Sequence, residues 1–218
     1  MLYYLFPYLP NLVFPSQSKI LIVANQDPRV ISKIMNDSIF QQFFERCVGS
    51  WVSERTYHYL RHQVIERSRT EFTVKPLSNE QKSKVLSDNS YETIKQLEPL
   101  PGFNLGFYTI NDRGEEVSQN INLMFVPKAE TENSLSGDYL RDRAYEEDRP
   151  IISHFNFDST TRELLMTTNY TEVVSVDSIT LNNPNLRIRK IMNYLRPEDG
   201  QPLEKILLAG FGIEQKKT

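Results

Sequence analysis

The segment Phe44-Glu-Arg-Cys-Val-Gly-Ser-Trp51-Val-Ser-Glu-Arg55-Thr-Tyr-His58-Tyr-Leu60 joins a short helix to a long strand and decides the fold. Before Gly49 the apolar residues recur with a helical period, which predicts an amphipathic helix over residues 37–48. From Trp51 onward the period falls to two and the residues become aromatic and β-branched, as is typical of a strand. Gly49 lies where the helix must end, because glycine can adopt a positive φ there. The segment therefore predicts a helix that leads directly into the first strand of a sheet.

Both faces of this first strand mix polar and apolar side chains. Trp51, Arg55 and Tyr57 alternate onto one face, whereas His58 lies on the other. A strand beside a dry core would be apolar on one face. The mixture therefore indicates a strand that lines a partly polar cavity or forms the edge of a sheet.

The chain has 218 residues, a net charge of −3 and a single cysteine. This length allows one domain with a sizeable core, or one domain with an extension. The small net charge gives no general attraction for nucleic acid, and no apolar run approaches the ~18 residues of a membrane-spanning helix. Cys47 excludes an intramolecular disulfide and lies on the apolar face of the helix, which favours a buried side chain over a nucleophile.

Residues 1–36 differ from the rest of the chain. Prolines interrupt this apolar stretch, which has neither the basic start of a signal peptide nor the composition of a transit peptide. We predict a weakly ordered N-terminal extension at residues 1–36 and a single domain at residues 37–218.

The rest of the chain alternates short strands with turn sequences, including a turn at Ser136-Gly-Asp138. About ten strands are predicted, and strands joined by hairpin-length connections are antiparallel. Residues 78–86 and 91–97 are amphipathic and polar, which predicts one or two surface helices. About eight to ten strands closed on themselves hold one small ligand. The predicted fold class is therefore an all-β antiparallel barrel with a short N-terminal helix and one or two surface helices.

Three charged side chains are candidates for a ligand site. Arg187 and Arg189 project from one face of a strand about 7 Å apart. This spacing suits a ligand with two carboxylates, and it equally suits a solvated strand face. Asp177 lies among apolar and hydroxyl residues, where a carboxylate needs a cation or N–H donors, so it is a ligand anchor or an edge residue. His58 and His62 have no further ligand at a suitable spacing, so no metal site is predicted.

Three separated segments resemble one family, the S-type phycobiliprotein chromophore lyases (CpcS/CpeS type), which are lipocalin-like barrels. The segments are Phe43–His58, Ser136–Tyr145 and Asn183–Arg189. The resemblance implies noncovalent binding of an open-chain tetrapyrrole, a bilin such as phycocyanobilin or phycoerythrobilin. It also implies that the bilin is attached by a thioether bond to a cysteine of a phycobiliprotein subunit, which is phycocyanin, allophycocyanin or phycoerythrin. The bilin is then the substrate, and no tightly bound cofactor is implied.

The resemblance further implies roles for individual residues, carried over by position. Asp177 matches a glutamate that hydrogen-bonds the pyrrole nitrogens, which makes it the catalytic candidate. Arg187 and Arg189 match arginines on the propionate side of the bilin. Tyr108 lies in a region where the family often has a further tryptophan. The implied ligand-binding residues are Trp51, Arg55, His58, Tyr108, Arg187 and Arg189.

The chemistry of a bilin agrees with these residues. A flat four-ring ligand with two carboxylates and a row of nitrogens needs aromatic walls, two cations and an anion. Two alternatives remain open: a non-catalytic bilin carrier or phycobiliprotein assembly chaperone, and a barrel that has lost its ligand and acts by contact alone. The resemblance implies a location in the plastid stroma or the cyanobacterial cytoplasm. It leaves open a homodimer or a second lyase chain.

Overall fold

In a computed structural model, residues 39–142 and 151–217 are described. The predicted extension at residues 1–36, and the part of the predicted helix before residue 39, lie outside these ranges. The described residues form two helices, α1 (39–47) and α2 (Asn79–Asp88), and ten strands. The strands are β1 (Gly49–Tyr59), β2 (Val64–Pro76), β3 (Gly102–Asn111), β4 (Glu116–Glu130), β5 (Ser134–Arg141), β6 (Ile151–Asp158), β7 (Glu163–Asn169), β8 (Val173–Asn183), β9 (Leu186–Leu195) and β10 (Ile206–Lys216).

The ten strands form one closed antiparallel barrel. Each strand pairs with its neighbours in the sequence, and β1 also pairs with β10, which closes the sheet. Closure leaves no sheet edge with unpaired backbone groups. The predicted all-β barrel of about ten strands is therefore confirmed.

Helix α1 packs against the inward faces of β3, β4 and β6 and fills one end of the barrel. Phe40 stacks on Phe155, with ring centroids 5.6 Å apart. Phe44 contacts Phe103 and Phe125 at centroid distances of 5.4 and 4.6 Å. The apolar core of the barrel therefore lies between this helix and the strands around it.

The junction between α1 and β1 agrees with the sequence pattern. Gly49 has a φ of 127°, a backbone conformation that residues other than glycine rarely adopt. Trp51 is fully buried, and its indole N–H donates a hydrogen bond to the carbonyl oxygen of Cys47 at 2.9 Å. The last turn of the helix is thereby fixed to the first strand.

A second apolar cluster lies on the outside of the barrel, where α2 buries Val85 and Leu86 against β4 and β5. The sequence pattern predicts another helix over residues 91–97, but the chain there is irregular. The Tyr91 hydroxyl donates a hydrogen bond to Asp138 at 2.8 Å, and the ammonium group of Lys82 donates to the carbonyl of Leu97 at 3.0 Å. Tertiary contacts thus hold this segment as a cover over the outer cluster, so only one of the two surface helices forms.

Ser136-Gly-Asp138 lies within β5 and is not a turn. The carbonyl oxygen of Val126 on β4 approaches Gly137 so closely that a Cβ there would lie 2.0 Å from it. The register of β4 and β5 shifts immediately beyond this point. The turn prediction was wrong because Gly137 allows two strands to approach each other closely and does not form a turn.

Phe44→Ala should lower the free energy of unfolding by about 3–5 kcal/mol, because it leaves a cavity between α1 and the aromatic side chains of β3 and β4. Phe211→Ala is the matched control, since this phenylalanine is 46% exposed on the outside of β10. The control should change the free energy of unfolding by about 0.5 kcal/mol or less. Urea denaturation followed by fluorescence measures both variants. Equal losses would show that α1 does not seal the core.

Candidate functional site

A cavity of about 440 Å³ lies inside the barrel, next to α1. It extends away from the helix to the opposite end, where Tyr59, Asn111 and Leu208 line it. At that end β1, β3 and β9 finish and β2, β4 and β10 begin. We call this open end the mouth of the cavity.

The cavity has one apolar wall and one charged wall. The apolar wall comes from β2, β3, β4 and β7 and includes Phe72, Val74, Phe103, Leu105, Phe107, Ile121, Leu123, Phe125, Leu164 and Met166. The charged wall comes from β1, β8, β9 and β10 and includes Arg55, Asp177, Arg187, Arg189 and Glu214. Such a cavity suits a flat apolar ligand that carries charged groups along one edge.

Glu214 is fully buried at the centre of the charged wall. Its Oε2 accepts a hydrogen bond from Nε of Arg187 at 2.5 Å, and its Oε1 accepts one from Nη2 of Arg55 at 3.4 Å. Burial raises the pKa of this carboxyl, but the charges of Arg187, Arg189 and Arg55 outweigh burial and hold the pKa below its usual range. Glu214 therefore stays ionised inside the barrel.

Arg187 is buried and fixed on several sides. Its guanidinium lies 4.7 Å from the ring centroid of Trp51 and 5.0 Å from that of Phe72, within the range of cation–π attraction. Burial disfavours the charge, but the carboxylate of Glu214 more than compensates and raises the pKa of Arg187. This arginine is therefore held in place as a permanent cation.

Arg189 and Asp177 form a second ion pair across β8 and β9. Oδ1 of Asp177 accepts hydrogen bonds from Nη2 of Arg189 at 3.0 Å and from Nε at 3.3 Å. Burial lowers the pKa of Arg189, but the attraction of Asp177 dominates and raises it. Both side chains line the cavity, so this pair is one that an entering ligand would meet.

The structure thus brings four of the predicted site residues to one wall: Arg55, Asp177, Arg187 and Arg189. The two-residue alternation of each strand accounts for this, because it placed each side chain on the inward face. Their roles toward a ligand remain predictions.

Three other predicted ligand-binding residues do not line the cavity. Trp51 is fully buried beneath Arg187 and stacks on Phe72, with ring centroids 6.3 Å apart. His58 lies on the outer face of β1 and Tyr108 on the outer face of β3, and both are exposed. These roles were carried over from motif positions, which do not determine the strand face on which a side chain lies. They stay predictions, and the lining of the cavity does not support them.

The cavity residues that the sequence analysis did not single out include Arg141 and Glu214. Arg141 belongs to the second motif, lines the cavity and donates a hydrogen bond from Nη2 to the hydroxyl of Tyr170 at 2.8 Å. Glu214 shares its inward face with Gly210, where a Cβ would lie 2.7 Å from the ring of Tyr57. Small residues on one face of a strand indicate that side chains from neighbouring strands fill the space there, so a glutamate on the same face points into the barrel. That pattern could have identified Glu214 as inward-facing.

Cys47 is buried, and burial raises the pKa of its thiol. The prediction of a buried cysteine is therefore confirmed. Within residues 39–142 and 151–217, no group of three or more His, Cys, Asp or Glu side chains is arranged to hold a metal ion. None of the helices in these ranges is long and apolar enough to cross a membrane.

The closed ten-stranded barrel, with a helix at one end and a ligand-sized cavity, places the protein in the class of lipocalin-like barrels. The solved structure of the S-type phycobiliprotein lyase CPES from Guillardia theta has the same fold, with a TM-score of 0.64. The two chains are 18% identical, and the match covers 86% of this chain and 97% of that one.

The chain belongs to the CpeS-like protein family, whose sequence profile matches residues 39–217. Chromophore lyase CpcS/CpeS 1 of Synechococcus sp. (strain JA-3-3Ab) is 55% identical over 179 residues, which cover 82% of this chain and 97% of that relative. Chromophore lyase CpcS/CpeS 2 of Trichodesmium erythraeum (strain IMS101) is 30% identical over 155 residues, which cover 68% and 75%. The resemblance seen in the three motifs is confirmed, and the enzyme class of the chain is that of the chromophore lyases.

Glu214→Gln should lower the free energy of unfolding by about 3–5 kcal/mol at neutral pH, because Arg187 would stay buried without its anion. The pKa of Glu214 in the folded state lies below its ordinary value of 4.5. The contribution of the ionised Glu214 carboxylate to the stability of the fold is therefore complete above pH 4.5 and is lost as the pH falls toward the folded-state pKa. Below pH 4.5 the parent should lose stability more steeply than the variant.

Urea denaturation across this pH range measures the difference. Glu71→Gln is the control, because Glu71 forms its ion pair with Lys217 on the outer surface at 2.6 Å. Exposed pairs of this kind contribute little to stability, so the denaturation midpoint should hardly change. If Glu214→Gln behaved like Glu71→Gln, the charged wall would not depend on Glu214.

Proposed function

We propose that this chain binds a bilin noncovalently inside the barrel and attaches it through a thioether bond to a cysteine of a phycobiliprotein subunit. Membership of the CpeS-like family supports chromophore attachment. The observation that carries the proposal is the charged wall facing an apolar wall across one cavity. Phycocyanobilin and phycoerythrobilin both offer flat conjugated rings, two propionates and a row of pyrrole nitrogens to such a cavity.

The rings of the bilin would lie against the apolar wall. Phe72, Phe103 and Phe107 line it on β2 and β3, and aromatic faces pack well on flat conjugated rings. Removal of this apolar surface from water would supply much of the affinity. The polar edge of the ligand would then face the charged wall.

Arg55 and Arg189 are the arginines best placed to bind the propionates. Their side chains are 14% and 24% exposed, against 8% for Arg187, whose Nε is bound to Glu214. The five side chains of the charged wall carry an excess of one positive charge, and Arg141, Glu66 and Glu115 line the cavity elsewhere. A propionate could neutralise that excess through charge-assisted hydrogen bonds. Arg187 then holds Glu214 in position, which revises the propionate-binding role implied by the family resemblance.

Asp177 is the proposed catalytic residue. When a propionate takes Arg189, the carboxylate of Asp177 becomes free to accept hydrogen bonds from the pyrrole N–H groups. Its charge favours the protonated, cationic bilin, in which the A-ring ethylidene is more electrophilic. The acceptor thiol adds to this double bond: sulfur bonds the ethylidene carbon and a proton goes to the adjacent ring carbon. The addition needs no enzyme nucleophile, in keeping with the buried Cys47.

One experiment separates the lyase from the alternatives. Purified protein is mixed with free bilin, the absorbance is recorded, and apo-subunit is then added. Colour that stays on the subunit after denaturation supports the lyase. An absorbance change without such colour supports a carrier or assembly chaperone, and no absorbance change excludes bilin binding. We expect the protein to act where phycobiliproteins are assembled, in the plastid stroma or the cyanobacterial cytoplasm.

Arg189→Gln should weaken bilin binding roughly ten- to hundredfold, because a charge-assisted bond to a propionate is lost. Lys190→Gln is the matched control: it is the next residue, it lies on the outer face of β9, and its ammonium pairs with Glu163. The control should bind like the parent. Absorbance titration with free bilin measures both affinities. Equal affinities for the two variants would remove Arg189 from the site.

Asp177→Asn tests the chemistry separately from binding. The amide keeps the size and a hydrogen bond but lacks the charge that favours the cationic ligand. The bound bilin should lose much of its red-shifted absorbance, and transfer should slow by a larger factor than binding weakens. Asp177→Glu should transfer better than Asp177→Asn. An Asn variant that absorbs and transfers like the parent would exclude this role.

A further inference from the structure

One side of the mouth carries four exposed apolar side chains. Leu60, Ile65, Leu195 and Leu203 are between 38% and 50% exposed and lie on the β1–β2 hairpin tip and the β9–β10 connection. The two tips are adjacent, because the backbone N–H of Leu60 donates to the carbonyl of Leu207 at 3.0 Å. We call these four residues the apolar rim.

The two ends of the β9–β10 connection are attached to the barrel by hydrogen bonds. The backbone N–H of Leu195 donates to the carbonyl of Lys205 at 2.8 Å. Arg196 is bound twice to the β7–β8 turn, through its backbone N–H to the carbonyl of Glu172 at 2.9 Å and through Nη1 to the carbonyl of Tyr170 at 2.8 Å. The ends of the connection are thus fixed, and Leu195 and Leu203 are exposed to water. Single exposed leucines are ordinary, but a group on two adjacent fixed tips marks an interaction surface.

The rim segments carry no net charge. Residues 60–65 and 195–205 contain three basic and three acidic side chains. The β3–β4 tip at the mouth differs, because residues 112–115 are three charged side chains and Gly114. A partner bound at the rim segments would therefore be held by apolar contact, with little help from long-range electrostatic attraction.

The position of the rim indicates which partner it serves. In the described part of the chain, α1 fills the other end of the barrel, so a ligand in the cavity faces solvent at the mouth. An acceptor cysteine must reach the reactive ring while the barrel still holds the ligand. The protein that carries this cysteine must therefore lie against the mouth during transfer.

We propose that the apolar rim is the docking surface for the acceptor phycobiliprotein subunit. Apolar side chains beside the acceptor cysteine pack on Leu60 and Leu203, and the cysteine is thereby directed into the mouth. This inference rests on the proposed function, since it names the partner of the same cavity.

The test is the double variant Leu60→Ser, Leu203→Ser, loaded with bilin and supplied with increasing concentrations of apo-subunit. KM for the subunit should rise about five- to tenfold, as expected when central apolar contacts of an interface are removed. The affinity for bilin and the transfer rate at saturating subunit should match the parent.

In the parent, KM for the subunit should change little between low and high salt. Leu165→Ser is the control, because this leucine is 38% exposed on the outer face of β7, away from the mouth.

A double variant with the same KM as Leu165→Ser would overturn the docking surface while the proposed function stands. A parent that forms a dimer without subunit, with the dimer lost only in the double variant, would assign the rim to a second copy and also overturn it. Absence of transfer by the parent would overturn the proposed function, and the docking surface with it.

Discussion

The buried carboxylate of Glu214 is the interaction on which the interior of this barrel depends. An ion taken out of water is tolerated only where opposite charges compensate it, and Arg55 and Arg187 do so directly while Arg189 adds its charge. The dependence is mutual, because Arg187 is itself buried against Trp51 and Phe72. Arg55, Arg189 and Asp177 keep part of their surface exposed to the cavity. The apolar core near α1 and the charged wall therefore occupy different parts of the interior.

This division gives the barrel a direction. At one end the aromatic side chains of α1 interlock with Phe103, Phe125 and Phe155, which packs that end like an ordinary protein core. At the other end, within the described residues, the strand termini leave the cavity open. Under the proposed function, substrate and partner would both use this end. The apolar rim lies on loops at this end.

The ion pair between Arg189 and Asp177 on the charged wall also affects which ligand the cavity would accept. Nη2 of Arg189 and Oδ1 of Asp177 lie 3.0 Å apart and satisfy each other. A ligand with carboxylates alone would take Arg189 and leave Asp177 without its cation, which is costly in a partly buried site. A ligand with both carboxylates and N–H donors would satisfy both residues at once. Bilins have both kinds of group, which supports the proposed function over the binding of simple apolar acids.

The sequence by itself determined the helix-to-strand junction at Gly49, the approximate number of strands and the shared strand face of Arg187 and Arg189, because these follow from local periodicity. That this face points inward was decided by the tertiary structure. The motif positions suggested ligand contact for Tyr108 and His58, which lie on outward strand faces. The local pattern also predicted a helix over residues 91–97, where packing on the outer cluster prevails. Only the tertiary structure decided that Arg55 meets Glu214, 159 residues away in the chain. That contact exists because β10 closes the barrel against β1 in a particular register. Local pattern fixes the face on which a side chain lies, whereas closure and register fix which faces meet.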